Sequence, residues 1–180
     1  MLSLRSKITQ AVLGYFMLHV GAKLYVNEIA RRLSLDSGNL ARKLKELEKV
    51  GILRCEERGL ERFYSLNPTY PLLKEYKKII LKSIGFEKLL KQTLKQVGGI
   101  EQAYLFGSYA GDCMDLASDI DLMVIGRHST VDLQKRMAKV QKAIERDINI
   151  ISLGPEEFES KRQKDPFFKS FDSKKQIRIL

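Results

Sequence analysis

One stretch constrains this chain more than any other: Leu105-Phe106-Gly107-Ser108-Tyr109-Ala110, followed by Ser118-Asp119-Ile120-Asp121-Leu122-Met123-Val124. The apolar run into Gly107 has strand character. Asp119 to Ile125 then alternates carboxylate and apolar positions at the period of two that a strand imposes. Ile120, Leu122 and Val124 are expected on one face, with Asp119 and Asp121 on the other. Side chains at i and i+2 of a strand point the same way about 6.5–7 Å apart, so this pair can grip one Mg²⁺. Gly107 permits close backbone approach, and Ser108 offers a hydroxyl and a backbone amide to phosphate oxygens. Each motif alone is weak, because a polar edge strand after a tight turn explains either. At this spacing they describe a place for a phosphate chain and a divalent metal.

The surrounding pattern supplies a scaffold. Ala103 to Phe106 reads as a buried strand, Leu133, Met137, Val140 and Ile144 mark a helix, and Ile148 to Leu153 is a further strand. Pro155 after Gly154 suits the first turn of another helix. The order predicts a small mixed sheet with helices packed on it. In the tail, Phe167, Phe168 and Phe171 are read as core rather than as a base-stacking platform, and Gln176 to Leu180 as a terminal strand.

Gly107-Ser108-Tyr109-Ala110 with Ser118-Asp119-Ile120-Asp121-Leu122 resembles the signature of the minimal nucleotidyltransferases, relatives of the polymerase-beta superfamily. The resemblance covers about residues 101–160, including Gly154-Pro155-Glu156-Glu157-Phe158. It implies transfer of a nucleoside monophosphate, usually AMP, from a Mg-bound triphosphate to an acceptor hydroxyl. Gly107 and Ser108 would hold the β and γ phosphates, and Asp119 and Asp121 the metal. Two departures stand out. Gly111-Asp112-Cys113 occupies the place of the family's Arg-Gly-Glu, and the family's third carboxylate falls on Asn149. An amide neither ionises nor takes a proton from an acceptor hydroxyl. Asp147, two residues earlier on the same face, is the candidate substitute, and the other reading is that it begins the strand and faces solvent.

The N-terminal half differs in charge. Residues 1–83 hold 16 basic and 8 acidic side chains and residues 84–180 hold 16 and 14, so most of the net +10 lies in the first half. A polyanion partner or plain solubility accounts for such an excess. Ile8, Val12, Tyr15 and Phe16 stripe a first helix, Lys23 to Val26 is a short strand, and Asn27 is placed to cap a second helix through Leu33. Asp36 or Ser37 caps a third, longer helix in which Leu40, Leu44 and Leu47 share the core face and Arg42, Lys45 and Lys49 share another. Gly51 ends it. Two strands follow around a loop Arg58-Gly59-Leu60-Glu61, a hairpin expected to have Arg58 at its tip.

That order, with Leu-Glu-Lys-Val-Gly-Ile-Leu at the junction, resembles the winged helix-turn-helix of bacterial and archaeal transcription regulators over roughly residues 5–68. The resemblance implies double-stranded DNA as partner, contacted by Ser37, Asn39, Arg42, Lys43 and Arg58. Lys45, on the same basic helix, joins them because cations on a rigid helix neutralise phosphates. A docking or dimerisation module is the alternative.

The expected fold is therefore α+β: a winged helix over 1–68, linking helices over 69–99, and a nucleotidyltransferase-like domain over 100–180. The helix after Pro71 serves either as linker or as the contact of a homodimer. The acceptor hydroxyl belongs to a protein or a nucleic acid. Cys55 and Cys113 lack metal-ligand spacing and form no disulfide framework, which favours a reducing, cytoplasmic setting. The apolar run Ala11 to Val20 is too short to span a bilayer, so no membrane role is expected.

Overall fold

Ser6 opens the first helix, α1 (Lys7–Leu18), its hydroxyl accepting the Thr9 amide at 3.4 Å. The computed structural model describes residues 3–83, 85–115, 117–171 and 173–180, Ser83 through its backbone alone. Two compact units divide the chain, Met1–Lys88 and Leu89–Leu180.

In the first unit, Val12, Leu13, Phe16 and Met17 bury one side of α1. A two-residue strand, β1 (Leu24–Tyr25), leads into α2 (Val26–Leu33) and then α3 (Ser37–Val50). Asp36 is the N-cap of α3, its Oδ1 accepting the Asn39 amide at 2.8 Å, an interaction of about 1 kcal/mol. Gly51 closes α3 at φ +89°. Leu40, Leu44 and Leu47 are fully buried, as their spacing predicts. Strands β2 (Leu53–Arg58) and β3 (Glu61–Leu66) complete an antiparallel sheet of order β1-β3-β2, and α4 (Leu73–Ser83) packs on α1.

Two local expectations are corrected. Asn27 does not cap α2: Tyr25 stands at the N-cap without a side-chain hydrogen bond, and Asn27 lies inside the first turn. Pairing of β1 with β3 ends at Tyr25 opposite Phe63, which frees Val26 to begin the helix. Arg58 is not the tip of the hairpin either. It is the last rung of β2, opposite Glu61, and the turn consists of Gly59 and Leu60 alone. Gly59 takes φ +61°, as tight hairpin turns demand, and this leaves Leu60 fully exposed.

The second unit is built on a four-stranded sheet of order β6-β5-β4-β7. After α5 (Phe86–Leu94), in which the unit boundary falls, come β4 (Ile100–Phe106), the single-turn α6 (Gly107–Gly111), β5 (Ile120–Gly126) and α7 (Thr130–Ile144). Then follow β6 (Ile148–Leu153), α8 (Pro155–Lys164), α9 (Pro166–Lys169) and β7 (Ile177–Arg178). β5 runs antiparallel to β4 and parallel to β6, while β7 adds antiparallel to β4, so the sheet is mixed. Its central strand is buried on both faces beyond Asp121, which limits the predicted alternation to the strand's first residues. Met123 and Ile125 pack with Leu153, Phe158, Phe168 and Phe171. Phe168 and Phe171 are therefore core, and Phe167 is half-buried against Phe106 at 5.8 Å between ring centres.

Candidate functional site

The end of β4 and the start of β5 lie side by side, with Phe106 opposite Asp121. Gly107 follows at φ +64°, and a Cβ there would sit 2.1 Å from Asp121 Oδ2 and 3.2 Å from its Cγ. A larger residue is disfavoured on two counts, the left-handed backbone and the need to displace the Asp121 carboxylate. Ser108 comes next, half-buried in the first turn of α6, and its carbonyl accepts the Cys113 amide at 3.0 Å. Thus the Gly-Ser pair and the second carboxylate, fourteen residues apart in sequence, adjoin.

Asp121 is half-buried and Asp119 exposed. Asp119 stands one residue before β5 rather than on it, a correction to the predicted strand. Burial pushes the Asp121 carboxyl up from its ordinary range, the contact from Asn149 pulls it back, and the charge of Asp119 pushes it further up. A cation at this place would relieve both unfavourable contributions.

On β6, Asn149 is in register with Asp121, and its Nδ2 lies 3.5 Å from Asp121 Oδ1. It occupies the place where the resemblance calls for a carboxylate. Asp147 precedes the strand, and its backbone carbonyl accepts the Ile120 amide at 3.0 Å. It lines a shallow recess with Lys142, Glu145 and Arg146. Among the described residues, no three His, Cys, Asp or Glu side chains gather closely enough to hold a metal ion. Asp147 therefore does not complete a set with Asp119 and Asp121.

Two residues near the site carry no readable sequence pattern. Asp115 Oδ1 accepts the Ala117 amide at 2.9 Å and the Ser118 hydroxyl at 2.8 Å, which holds its carboxyl below the ordinary range. Arg146, between α7 and β6, donates to the carbonyls of Asp115 and Ser118. Such a contact spans about thirty residues of chain and has no periodicity by which it can be found.

In the first unit, Arg42 and Lys45 are exposed on α3 and line one recess with Lys49. Arg42 donates to Asn39 Oδ1 at 2.9 Å. Lys43 is half-buried and paired with Glu46. Ser37 and Asn39 are exposed in the first turn. Arg58 lies over the Phe63 ring at 5.4 Å and pairs with Glu56 at 3.1 Å, so its charge is partly offset in place. No helix among the described residues is long and apolar enough to cross a membrane.

Comparison with known proteins bears on the second unit. No curated protein matches the chain. A solved structure described as a candidate nucleotidyltransferase from Sulfolobus solfataricus is similar at 18% identity and a TM-score of 0.29, over 51% of this chain and 73% of that one. Residues 88–164 match the family model "Polymerase beta, Nucleotidyltransferase". The matched stretch contains Gly107, Ser108, Asp119, Asp121 and Asn149, and nucleotidyl transfer is the general class of chemistry that this match supports.

Proposed function

We propose that the second unit is a Mg²⁺-dependent nucleotidyltransferase that moves a nucleoside monophosphate, AMP by preference, from a triphosphate to an acceptor hydroxyl. The observation that carries this reading is the close approach of Gly107 to Asp121, where a Cβ would lie 2.1 Å from Oδ2, which sets the Gly-Ser turn beside a carboxylate. Two adjacent carboxylates, one with its carboxyl pushed up by burial and by its neighbour, suit one divalent cation, and without a third they do not suit two. A bound cation would neutralise phosphate charge.

The chain's own groups do the rest. The Ser108 hydroxyl and amide hold the β and γ phosphates, and Gly107 lets them approach the backbone. The acceptor oxygen bonds to the α phosphorus, the bond from that phosphorus to the bridging oxygen breaks, and pyrophosphate leaves with the electron pair. Asn149 cannot take the hydroxyl proton, which passes to solvent, so turnover is expected to be slow. The test is incubation with labelled ATP, GTP, CTP or UTP, Mg²⁺ and cell extract. Label should move to an acceptor, and none above an Asp119→Asn, Asp121→Asn control would overturn the reading.

The first unit is read as a winged helix that binds double-stranded DNA. Supporting this are its order of elements, its hairpin sheet and the exposed cations of α3. Arg42 and Lys45 are assigned to phosphates, and Ser37 and Asn39, in the first turn, to base edges. Lys43 and Arg58 are already engaged, and are assigned smaller shares.

Asn149 favours a second reading, in which the protein is a DNA-binding regulator whose transferase-like unit senses nucleotide or pairs two copies without chemistry. Calorimetry separates the two. Tight Mg-ATP binding coupled to DNA affinity, with no label transfer, selects the regulator.

A further inference from the structure

Asp119 leaves the strand and is exposed, so a device outside β5 has to fix where its carboxylate points. Its two flanks are tied, and both ties come from the same short segment. Behind it, Ser118 gives its carbonyl to the Arg146 guanidinium. Ahead of it, Ile120 gives its amide to the Asp147 carbonyl at 3.0 Å. Arg146 also reaches the Asp115 carbonyl, and so binds both ends of a turn that Asp115 and Ser118 close through their side chains. Asp115 and Ala117 are exposed and Ser118 is half-buried. The hydrogen bond between Asp115 and Ser118 competes with water.

We propose that Arg146 is a positioning residue for Asp119, holding the turn at the height that lets Asp119 and Asp121 share one cation. This inference rests on the metal-site reading given above. Two features set Arg146 apart from a surface arginine. It is only 8% exposed, and burying a guanidinium is costly unless its hydrogens are bonded. It also spends two nitrogens on two backbone carbonyls at once, a forked arrangement that a lysine ammonium cannot reproduce with the same rigidity. The guanidinium thus acts through the backbone on the carboxylate.

The experiment is a titration of the full chain with Mn²⁺, followed by electron paramagnetic resonance, for the wild type, Arg146→Gln and Arg146→Lys. Near-ultraviolet circular dichroism and thermal melting run beside it. Loss of a supporting partner weakens metal binding by about 10-fold in comparable sites, and that is expected for Arg146→Gln well below its melting temperature. Arg146→Lys should fall between Gln and wild type. A brace with a purely structural role would lower the melting temperature and leave the Mn²⁺ affinity of the folded protein unchanged. A folded Arg146→Gln that binds Mn²⁺ like wild type therefore overturns the proposal. If Arg146→Gln does not fold, Arg146→Lys decides: weaker binding supports the role, and unchanged binding overturns it. Wild-type protein that binds no Mn²⁺ overturns the metal-site reading itself, an outcome told apart because it needs no change at Arg146.

Discussion

Asn149 and Asp121 face each other from neighbouring parallel strands, with the amide nitrogen 3.5 Å from the carboxylate oxygen Oδ1. The amide partly offsets the cost of keeping Asp121 charged beside Asp119 and half out of water. A carboxylate in its place would add charge for a second cation and a base for the acceptor proton, but would repel Asp121 while the site stands empty.

Asn149→Asp tests that trade directly. Without metal the variant should lose about 1 kcal/mol at neutral pH, because two carboxylates in contact raise each other's pKa. The loss should vanish as pH falls through those raised values. Added Mg²⁺ should raise the melting temperature of the variant more than that of the wild type. Label transfer should increase by about 100-fold if proton removal limits turnover. Equal Mg²⁺ responses would show that residue 149 does not face the bound ion.

Gly107 and Gly59 form a controlled pair. Both have similar positive φ, +64° and +61°, but a Cβ meets nothing within 4 Å at Gly59 and meets Asp121 Oδ2 at 2.1 Å at Gly107. Gly59→Ala should cost about 1–2 kcal/mol, the left-handed backbone penalty alone. Gly107→Ala should cost clearly more, measured by urea denaturation, and should also lower nucleotide affinity. Equal losses would mean that the Gly107–Asp121 contact carries no weight.

Much of this was legible because it rests on period and spacing. Leu40, Leu44 and Leu47 announce a helix face, and the run into Gly107 announces a strand. Asp119 and Asp121 announce a pair of neighbouring carboxylates, but only Asp121 stands on β5, so the strand does not set the direction of Asp119. What was not legible depends on which strand lies next to which. The burial of both faces of β5 follows from its central place between β4 and β6, which no local pattern records. Asn27 loses its capping role because β3 stops pairing at Tyr25, and Arg58 leaves the tip because Gly59 can turn in two residues. Arg146 was invisible for the same reason: its partners are carbonyls, which have no sequence signature.

The pH response of Asp121 has a definite sign. Its folded carboxyl is raised, chiefly by burial, so the folded state holds its proton more tightly than the unfolded state does. Stability is therefore lowered above the folded pKa and recovers as pH falls through it toward the ordinary carboxylate value. Asp121→Asn should be more stable than wild type at pH 7 by less than about 1 kcal/mol, since the group is partly solvated. The difference should shrink in acid. A variant less stable than wild type at pH 7 would contradict this.

On α3, Arg42→Ala with Lys45→Ala should reduce the slope of log affinity for duplex DNA against log salt by about 2, and weaken binding in proportion at low salt. Lys43→Ala, whose charge is paired with Glu46, should change the slope less. Fluorescence anisotropy over a salt series reads both, and an unchanged slope in the double variant would remove α3 from the interface.

The central claim is that Gly107, Ser108, Asp119 and Asp121 form one metal-nucleotide site, and calorimetric titration of ATP with and without Mg²⁺ tests it most directly. Binding should require Mg²⁺ and disappear in the Asp119→Asn, Asp121→Asn variant, which should remain folded. Binding that is absent from the wild type, or equally tight in that variant, would contradict it.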